Sequence, residues 1–203
     1  MAQTKLSQAE RRNLSEEKLI EAALSIAAEE GYAAVTFDAI GKRAGYSRGL
    51  ATHRFGSKAG LIEAVIDHLQ DYRIEIENEL NPRPVNGLAG LLGYAEIHLN
   101  SLKESPSSPA YFVFLAGAIA EMSDMRKLFA RSHDRTRGQL VEHLERGQQD
   151  GSVRKLENVD AAALSAGALL LGISMAWLAD PDMPVDDLTL EVKRTLRASF
   201  AEE

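Results

Sequence analysis

Residues 36–55 read TFDAIGKRAGYSRGLATHRF. Thr36 can cap a helix start through its hydroxyl, and Phe37, Ile40 and Ala44 recur at the spacing of one helical face. Gly45 ends that helix, because glycine accepts the left-handed conformation common just past a helix C-terminus. Two residues on, Ser47 can cap another short helix running to about Arg54. Helix, the turn Ala44-Gly45-Tyr46-Ser47 and helix together have the spacing of a helix-turn-helix. In this reading Ala44 is small so that the helices approach, Gly45 permits the reversal, and Ser47 starts the second helix with its amides and positive dipole end outward.

Upstream, a first helix starts near Ser15, with Glu16 and Glu17 in its first turn and Ile20, Ala23, Leu24 and Ala27 on one face, and ends at Gly31. Downstream, Ser57 can cap a fourth helix that runs from Lys58 with Leu61, Val65, Leu69 and Tyr72 at core spacing. Asn81-Pro82-Arg83-Pro84 breaks the pattern, because two prolines lack amide protons and constrain the residues before them. Beyond it, helices are expected at about 85–104, 109–122, 124–149, 159–179 and 186–200. No run alternates strictly enough for a strand. The expected fold is all-α: a flexible arm at 1–14, a helix-turn-helix domain at 15–68, and a larger helical domain at 69–203.

The 203 residues include no cysteine, which removes disulfide frameworks, thiolate zinc sites and cysteine nucleophiles. The polar N-terminus lacks the apolar run of a signal peptide. Tyr111–Ala120 is too short to span a bilayer, and Ala161–Leu178 is diluted by small residues, so both read as buried helices. A cytoplasmic protein with no membrane partner is expected.

A net charge of −7 argues at first against a nucleic-acid partner, but its distribution matters more than its sum. Residues 1–68 hold nine Lys/Arg and nine Asp/Glu, so the deficit belongs to residues 69–203. Lys42, Arg43, Arg48, Arg54 and Lys58 lie within seventeen residues that carry no carboxylate. Such a +5 segment can neutralise phosphates and release counterions, or it can be a solvated basic face; charge alone leaves both readings open.

The major groove accepts one helix and is read from that helix's first turns. The side chains so placed are Ser47, Arg48, Leu50, Thr52 and His53, with Gly49 leaving room for close backbone approach. Arg48 suits bidentate contact with guanine, and Leu50 or the Thr52 methyl suits a thymine methyl. Thr36, Arg43 and Lys58 suit phosphates. For each residue there is a plainer role as cap, solubilising charge or polar surface.

Ser15–Leu61 resembles the N-terminal domain of the tetracycline-repressor (TetR) family in Gly31-Tyr32, Thr36, Ile40-Gly41, Ala44-Gly45-Tyr46-Ser47, Arg48-Gly49, Phe55, Lys58 and Leu61. The resemblance implies a homodimeric regulator, usually a repressor, that leaves a palindromic operator when a small molecule binds its C-terminal domain. It also implies DNA contacts from Thr36, Arg43, Ser47, Arg48, Gly49, Leu50, Thr52, His53 and Lys58. One departure stands out. Thr52 occupies the position where the family usually has a phosphate-contacting tyrosine, leaving Thr52 and His53 as candidates for that contact.

The last two helices are candidates for a two-fold interface: Leu164, Ala168, Leu171 and Met175 on one, Leu188, Val192 and Leu196 on the other. The residues alone fit equally well with burial against their own chain. The resemblance implies a four-helix bundle with the dimer mate. Tyr94, His98, Tyr111, Phe112, Phe114, Met122, Met175 and Trp177 form either ordinary core or the lining of an effector pocket, with Tyr94, His98 and Trp177 as polar handles. The five histidines lack metal-site spacing, and Ser15-Glu16-Glu17-Lys18 reads as a helix start rather than a nucleophile motif, so neither enzyme, metal nor cofactor is expected. The competing reading is a helical ligand-binding or interaction protein without DNA readout.

Overall fold

A computed structural model describes residues 7–80, 84–104 and 108–202. The protein is all-α, in the order α1 (Gln8–Glu30), a 3-10 turn (Tyr32–Ala34), α2 (Phe37–Ala44), α3 (Arg48–Phe55), α4 (Lys58–Leu80), α5 (Gly87–Glu104), α6 (Ser108–Ala120), α7 (Arg126–Asp150), α8 (Val159–Ala179) and α9 (Val185–Phe200). Among the described residues the extended pairing is a single bridge between Val153 and Ala201.

The start of α1 corrects the sequence expectation. Ser7, not Ser15, is its cap: Ser7 Oγ accepts from the Glu10 amide at 3.2 Å, and the Glu10 carboxylate accepts from the Ser7 amide at 2.6 Å. This reciprocal box satisfies two amide donors at the helix start. Ser15 is buried inside the helix and donates to the Arg12 carbonyl at 2.8 Å. The position three beyond Ser7 holds Glu10, whereas that beyond Ser15 holds Lys18, which cannot accept a hydrogen bond. Residues 8–14 of the expected arm are therefore helical, and residues 1–6 lie outside the described residues. The expected boundary at 68/69 falls inside α4, which no glycine or proline interrupts between Leu61 and Leu80. The expected break over Asn81–Arg83 also lies outside the described residues.

Two apolar cores result. The first gathers Leu19, Leu24 and Ile26 of α1, Ile40 of α2, Ala51 of α3 and Leu61 and Ile62 of α4, closed from the C-terminal side by Phe114 of α6 and Phe129 of α7. The second gathers Leu91 and Leu99 of α5, Leu140 and Leu144 of α7, Leu170 of α8, and Val192 and Leu196 of α9. Tyr111 and Leu171 pack against both.

This packing corrects two of the expected interface residues. Val192 and Leu196 are 4% and 2% exposed within their own chain and have no surface left for a second molecule. Helix α8 is long and apolar enough to cross a membrane, yet only 28% of its most apolar window is buried. Its exposed side carries Leu164, Ala168 and Gly172, one turn apart.

At the start of α5 the backbone passes directly over α7. A β-carbon on Gly87 would overlap the Gly147 amide nitrogen and the His143 carbonyl, both backbone atoms. The first amides of α5 are capped there by Asp150, which accepts from Gly87 at 2.8 Å, and by Ser152, which accepts from Leu88 at 3.1 Å. Gly87→Ala is expected to cost at least the 1–3 kcal/mol typical of overpacking. In a chain of this size that lowers the midpoint of thermal unfolding by roughly 2–4 °C per kcal/mol, readable by circular dichroism.

Candidate nucleic-acid interface and ligand cavity

The turn between α2 and α3 is built by close contact. Gly45 caps α2 at φ 75°, in the left-handed region, and its amide donates to the carbonyls of Gly41 and Lys42. Ala44 packs on the first core, and Gly41 makes a further close approach. A β-carbon there would lie 3.0 Å from the Ser47 carbonyl carbon and 3.0 Å from the Tyr46 oxygen. Ser47 caps α3, its hydroxyl accepting from the Leu50 amide at 3.1 Å, and Thr36 caps α2 by accepting from Ala39 at 3.2 Å. Ala51 is fully buried and Phe55 packs on the first core, which fixes the roll of α3. Arg48, Gly49, Thr52 and His53 consequently face solvent, with Leu50 half-buried beside them. A β-carbon at Gly49 would meet only the Ser47 hydroxyl, at 3.8 Å, so the backbone there is open to a partner.

The five cations of this region have different surroundings. Lys42 and Arg48 are exposed. Arg43 bonds Glu29 at 2.7 Å, Glu30 at 2.6 Å and Ser25 at 2.6 Å, all on α1. Arg54 turns inward, 10% exposed, donating to Ser15 at 2.9 Å with Glu16 at 3.9 Å; it pins α3 to α1. Lys58 sits 3.7 Å from the centre of the Tyr32 ring and donates to the Tyr32 carbonyl at 3.4 Å, and burial lowers its pKa. Tyr32 in turn packs its ring on Gly117 of α6 and donates to Glu121 at 3.1 Å. Burial, then the Glu121 contact, pushes its phenol up to about 12. The foot of α4 and the end of α1 are thus joined to α6 through one aromatic ring.

A cavity of about 140 Å³ lies between α4, α5, α6, α7 and α8. Of the residues expected in a pocket, Tyr94, His98, Phe112 and Tyr111 line it. Met122 does not: it is 68% exposed at the far end of α6. Met175 and Trp177 belong to the second core and also lie off the cavity, as does Phe114 in the first. Leu171, expected at the dimer interface, lines the cavity wall.

Helix α4 supplies the wall residues that sequence reasoning missed, Gln70 and Arg73. Arg73 donates to Gln70 Oε1 at 2.6 Å, Gln139 Oε1 at 2.9 Å, Thr136 Oγ1 at 3.4 Å and the Tyr94 hydroxyl. Gln70 donates to Ser132 at 2.7 Å, and Tyr111 donates to the same hydroxyl at 3.2 Å. Four helices thus meet in one polar network inside an otherwise apolar wall. A lone Arg and Gln in an amphipathic pattern look like surface residues until α5, α6 and α7 are packed around them.

His98 stacks beside Tyr94 and meets Phe112 edge-on. Its Nε2 lies 2.9 Å from Ser174 Oγ, whose own proton goes to the Leu170 carbonyl at 2.9 Å. Nε2 must therefore be the donor, which leaves Nδ1 as an acceptor. Burial, reinforced by the Arg73 charge, lowers the imidazole from 6.5 to about 4.

The comparisons with known proteins match both halves of the molecule. The model for bacterial regulatory proteins of the tetR family matches residues 19–65, and that for the C-terminal part of BetI-type transcriptional repressors matches residues 100–201. The chain belongs to the TetR family. Its members are DNA-binding transcriptional regulators. A Saccharomonospora viridis protein described as a transcriptional regulator, solved in complex with choline, superposes with a TM-score of 0.80 at 16% identity, covering 94% of this chain and 100% of that one. A TetR-family protein from a Rhodococcus species gives 0.79 at 17% identity, covering 91% and 99%. The fatty acid degradation regulator FadR from Bacillus halodurans gives 0.78 at 18% identity, covering 96% and 97%. No curated protein matches the chain. In this TetR-family chain, most of α1 with α2, α3 and the start of α4 falls in the first matched region, and α6, α7 and α8, which line part of the cavity, fall in the second.

The buried His98 predicts a pH dependence of stability. The unfolded chain binds a proton on this ring near 6.5, but the folded chain not until about 4. Protonation therefore favours the unfolded state: the stability tied to His98 is complete above pH 6.5 and declines as the pH falls to 4, by about 3 kcal/mol in all. Denaturant unfolding from pH 7 to 4 is expected to show a slope in the native chain that His98→Gln flattens by about that amount. Equal slopes would mean that the ring is not buried neutral.

Proposed function

We propose that the protein is a homodimeric repressor that reads a palindromic operator through α3 and leaves it when a small molecule fills the cavity. The observation that carries this reading is the roll of α3: Ala51 and Phe55 lock one side to the core, and Arg48, Gly49, Thr52 and His53 stand free on the other. Arg48 is the base-reading residue; Ser47, Leu50 and either Thr52 or His53 add contacts; Thr36 and Lys42 lie at the phosphates. Arg43 and Lys58 serve DNA only through the positive potential of α2 and the foot of α4, because their head groups are already engaged. The match to BetI-type repressors supports the sign of regulation.

Two half-sites one helical turn apart require two α3 helices on a two-fold axis. The uncovered apolar side of α8 supports an interface there, with Leu164 61% exposed and Leu190 of α9 57% exposed. Leu164, Ala168, Leu188 and Leu190 form it, with Met175 at its edge. The region from residue 69 onward then serves the effector and the dimer, and α4 couples it to the domain before it. Its middle walls the cavity, and its foot packs so tightly under α3 that a β-carbon on Gly60 would overlap the Phe55 carbonyl. A ligand releases DNA by binding better to the conformation in which the two α3 helices are misplaced.

The test is selection of the operator from random duplexes, followed by binding titrations. Arg48→Ala is expected to weaken the selected site by about 5- to 150-fold, as loss of a bidentate base contact does, while leaving thermal stability unchanged. Leu164→Glu is expected to give a monomer in sedimentation and to weaken binding as well. Native affinity should fall steeply with added salt. Unchanged affinity and preference in Arg48→Ala would remove α3 from readout, and failure to select any duplex would favour the ligand-binding protein without DNA recognition.

A further inference from the structure

Building on the cavity as the effector site, we infer that its ligand is a compact monocarboxylate with an apolar body, bound through the Arg73 guanidinium. Among the described residues, Arg73 is the one full charge in the cavity wall. All its hydrogen-bond acceptors are neutral: two side-chain amides and two hydroxyls. Among the described residues no carboxylate lies within 4.0 Å of it, and Glu77, one turn further along α4, is engaged with His143 at 3.3 Å. A largely covered cation whose hydrogen bonds all go to dipoles has lost much of its hydration with only the more distant charge of Glu77 to offset that, and an anion entering the cavity supplies a direct counter-charge.

The chemistry of the wall narrows the anion. One cation neutralises one negative charge, which fits a carboxylate better than a phosphate monoester carrying nearly two. The planar fork of a guanidinium matches the two oxygens of a carboxylate. The Tyr94 hydroxyl accepts from Arg73, so its own proton is available to the same ligand. Ile66, Ile97, Phe112, Leu170 and Leu171 offer apolar contact to the body of the ligand, while His98, Ser101 and His133 add a few polar atoms. The volume, about 140 Å³, is close to that of apolar cavities, roughly 150 Å³, that accommodate benzene. A cation in the manner of choline is disfavoured: the Tyr94 face that would stack on it already carries Arg73, 5.1 Å from the ring centre.

Calorimetric titration of the 203-residue chain with benzoate and hexanoate, their neutral amides, and choline tests this. The carboxylates are expected to bind, and at least about tenfold more tightly than their amides, which present the same body without the charge. Choline is expected not to compete. Arg73→Gln should remove the preference for acid over amide and Arg73→Lys should keep part of it; Tyr94→Phe, which retains the ring, should weaken benzoate several-fold. If Arg73→Gln fails to fold, the acid-to-amide ratio in the native chain and the Tyr94→Phe result decide. Failure of both carboxylates to bind at millimolar concentration, equal binding of the amides, or preference for choline overturns the inference. Operator binding by the same preparations, measured without ligand, separates that outcome from failure of the regulator reading: an operator bound but carboxylates ignored leaves the regulator intact with a different effector.

Discussion

One uninterrupted helix, α4, supplies part of the first core with one stretch and a wall of the cavity with the next, and the rest of the structure is arranged around that fact. Leu61, Ile62, Val65 and Ile66 are buried among α1, α2, α3 and α6, while Gln70 and Arg73, two and three turns on from Leu61 and Ile62, are held by α5 and α7. Without a glycine or proline between them, the two segments share one hydrogen-bonded rod. The cavity wall and the foot of α4, where Lys58 and the tight Gly60 contact meet Tyr32 and α3, are thus parts of the same rod. The cavity is joined to the recognition helix by backbone rather than by a chain of side chains.

Charge in the DNA-binding region is divided by the same packing. A run of five cations over Lys42–Lys58 contributes two exposed side chains, one guanidinium clamped to α1 by Glu29 and Glu30, one turned inward to Ser15, and one ammonium under an aromatic ring. Arg43 and Arg54 position α2 and α3 against α1, and Arg48 stands free because Ala51 and Phe55 face the core. Positive potential at the surface and rigidity beneath it come from the same short stretch.

The cavity holds the converse arrangement, a polar network within apolar walls. Arg73, Gln70, Ser132, Tyr111 and Tyr94 bond to one another across four helices. Such networks select one packing of the helices over others, because a half-satisfied buried group costs more than an apolar one. His98 adds a neutral ring whose protonation opposes folding.

From sequence alone came the all-α class, the helix-turn-helix at residues 36–55, its caps at Thr36 and Ser47, and the outward set on α3. These depend on neighbours within four residues, on caps and on the 3.6-residue period, and such short-range rules are written directly into the chain. The start of α1 was readable in principle, since Ser7 and Glu10 form a complete capping box. Which face of α9 is covered, which cations are engaged, and which aromatics border a cavity were decided only by tertiary structure. Val192 looks like an interface residue until α5 covers it, Arg54 like a surface charge until α1 supplies Ser15, and Arg73 like a solvated side chain until three helices close over it. Periodicity shows that a helix has an apolar side; the partner that covers that side lies tens of residues away and is chosen by packing.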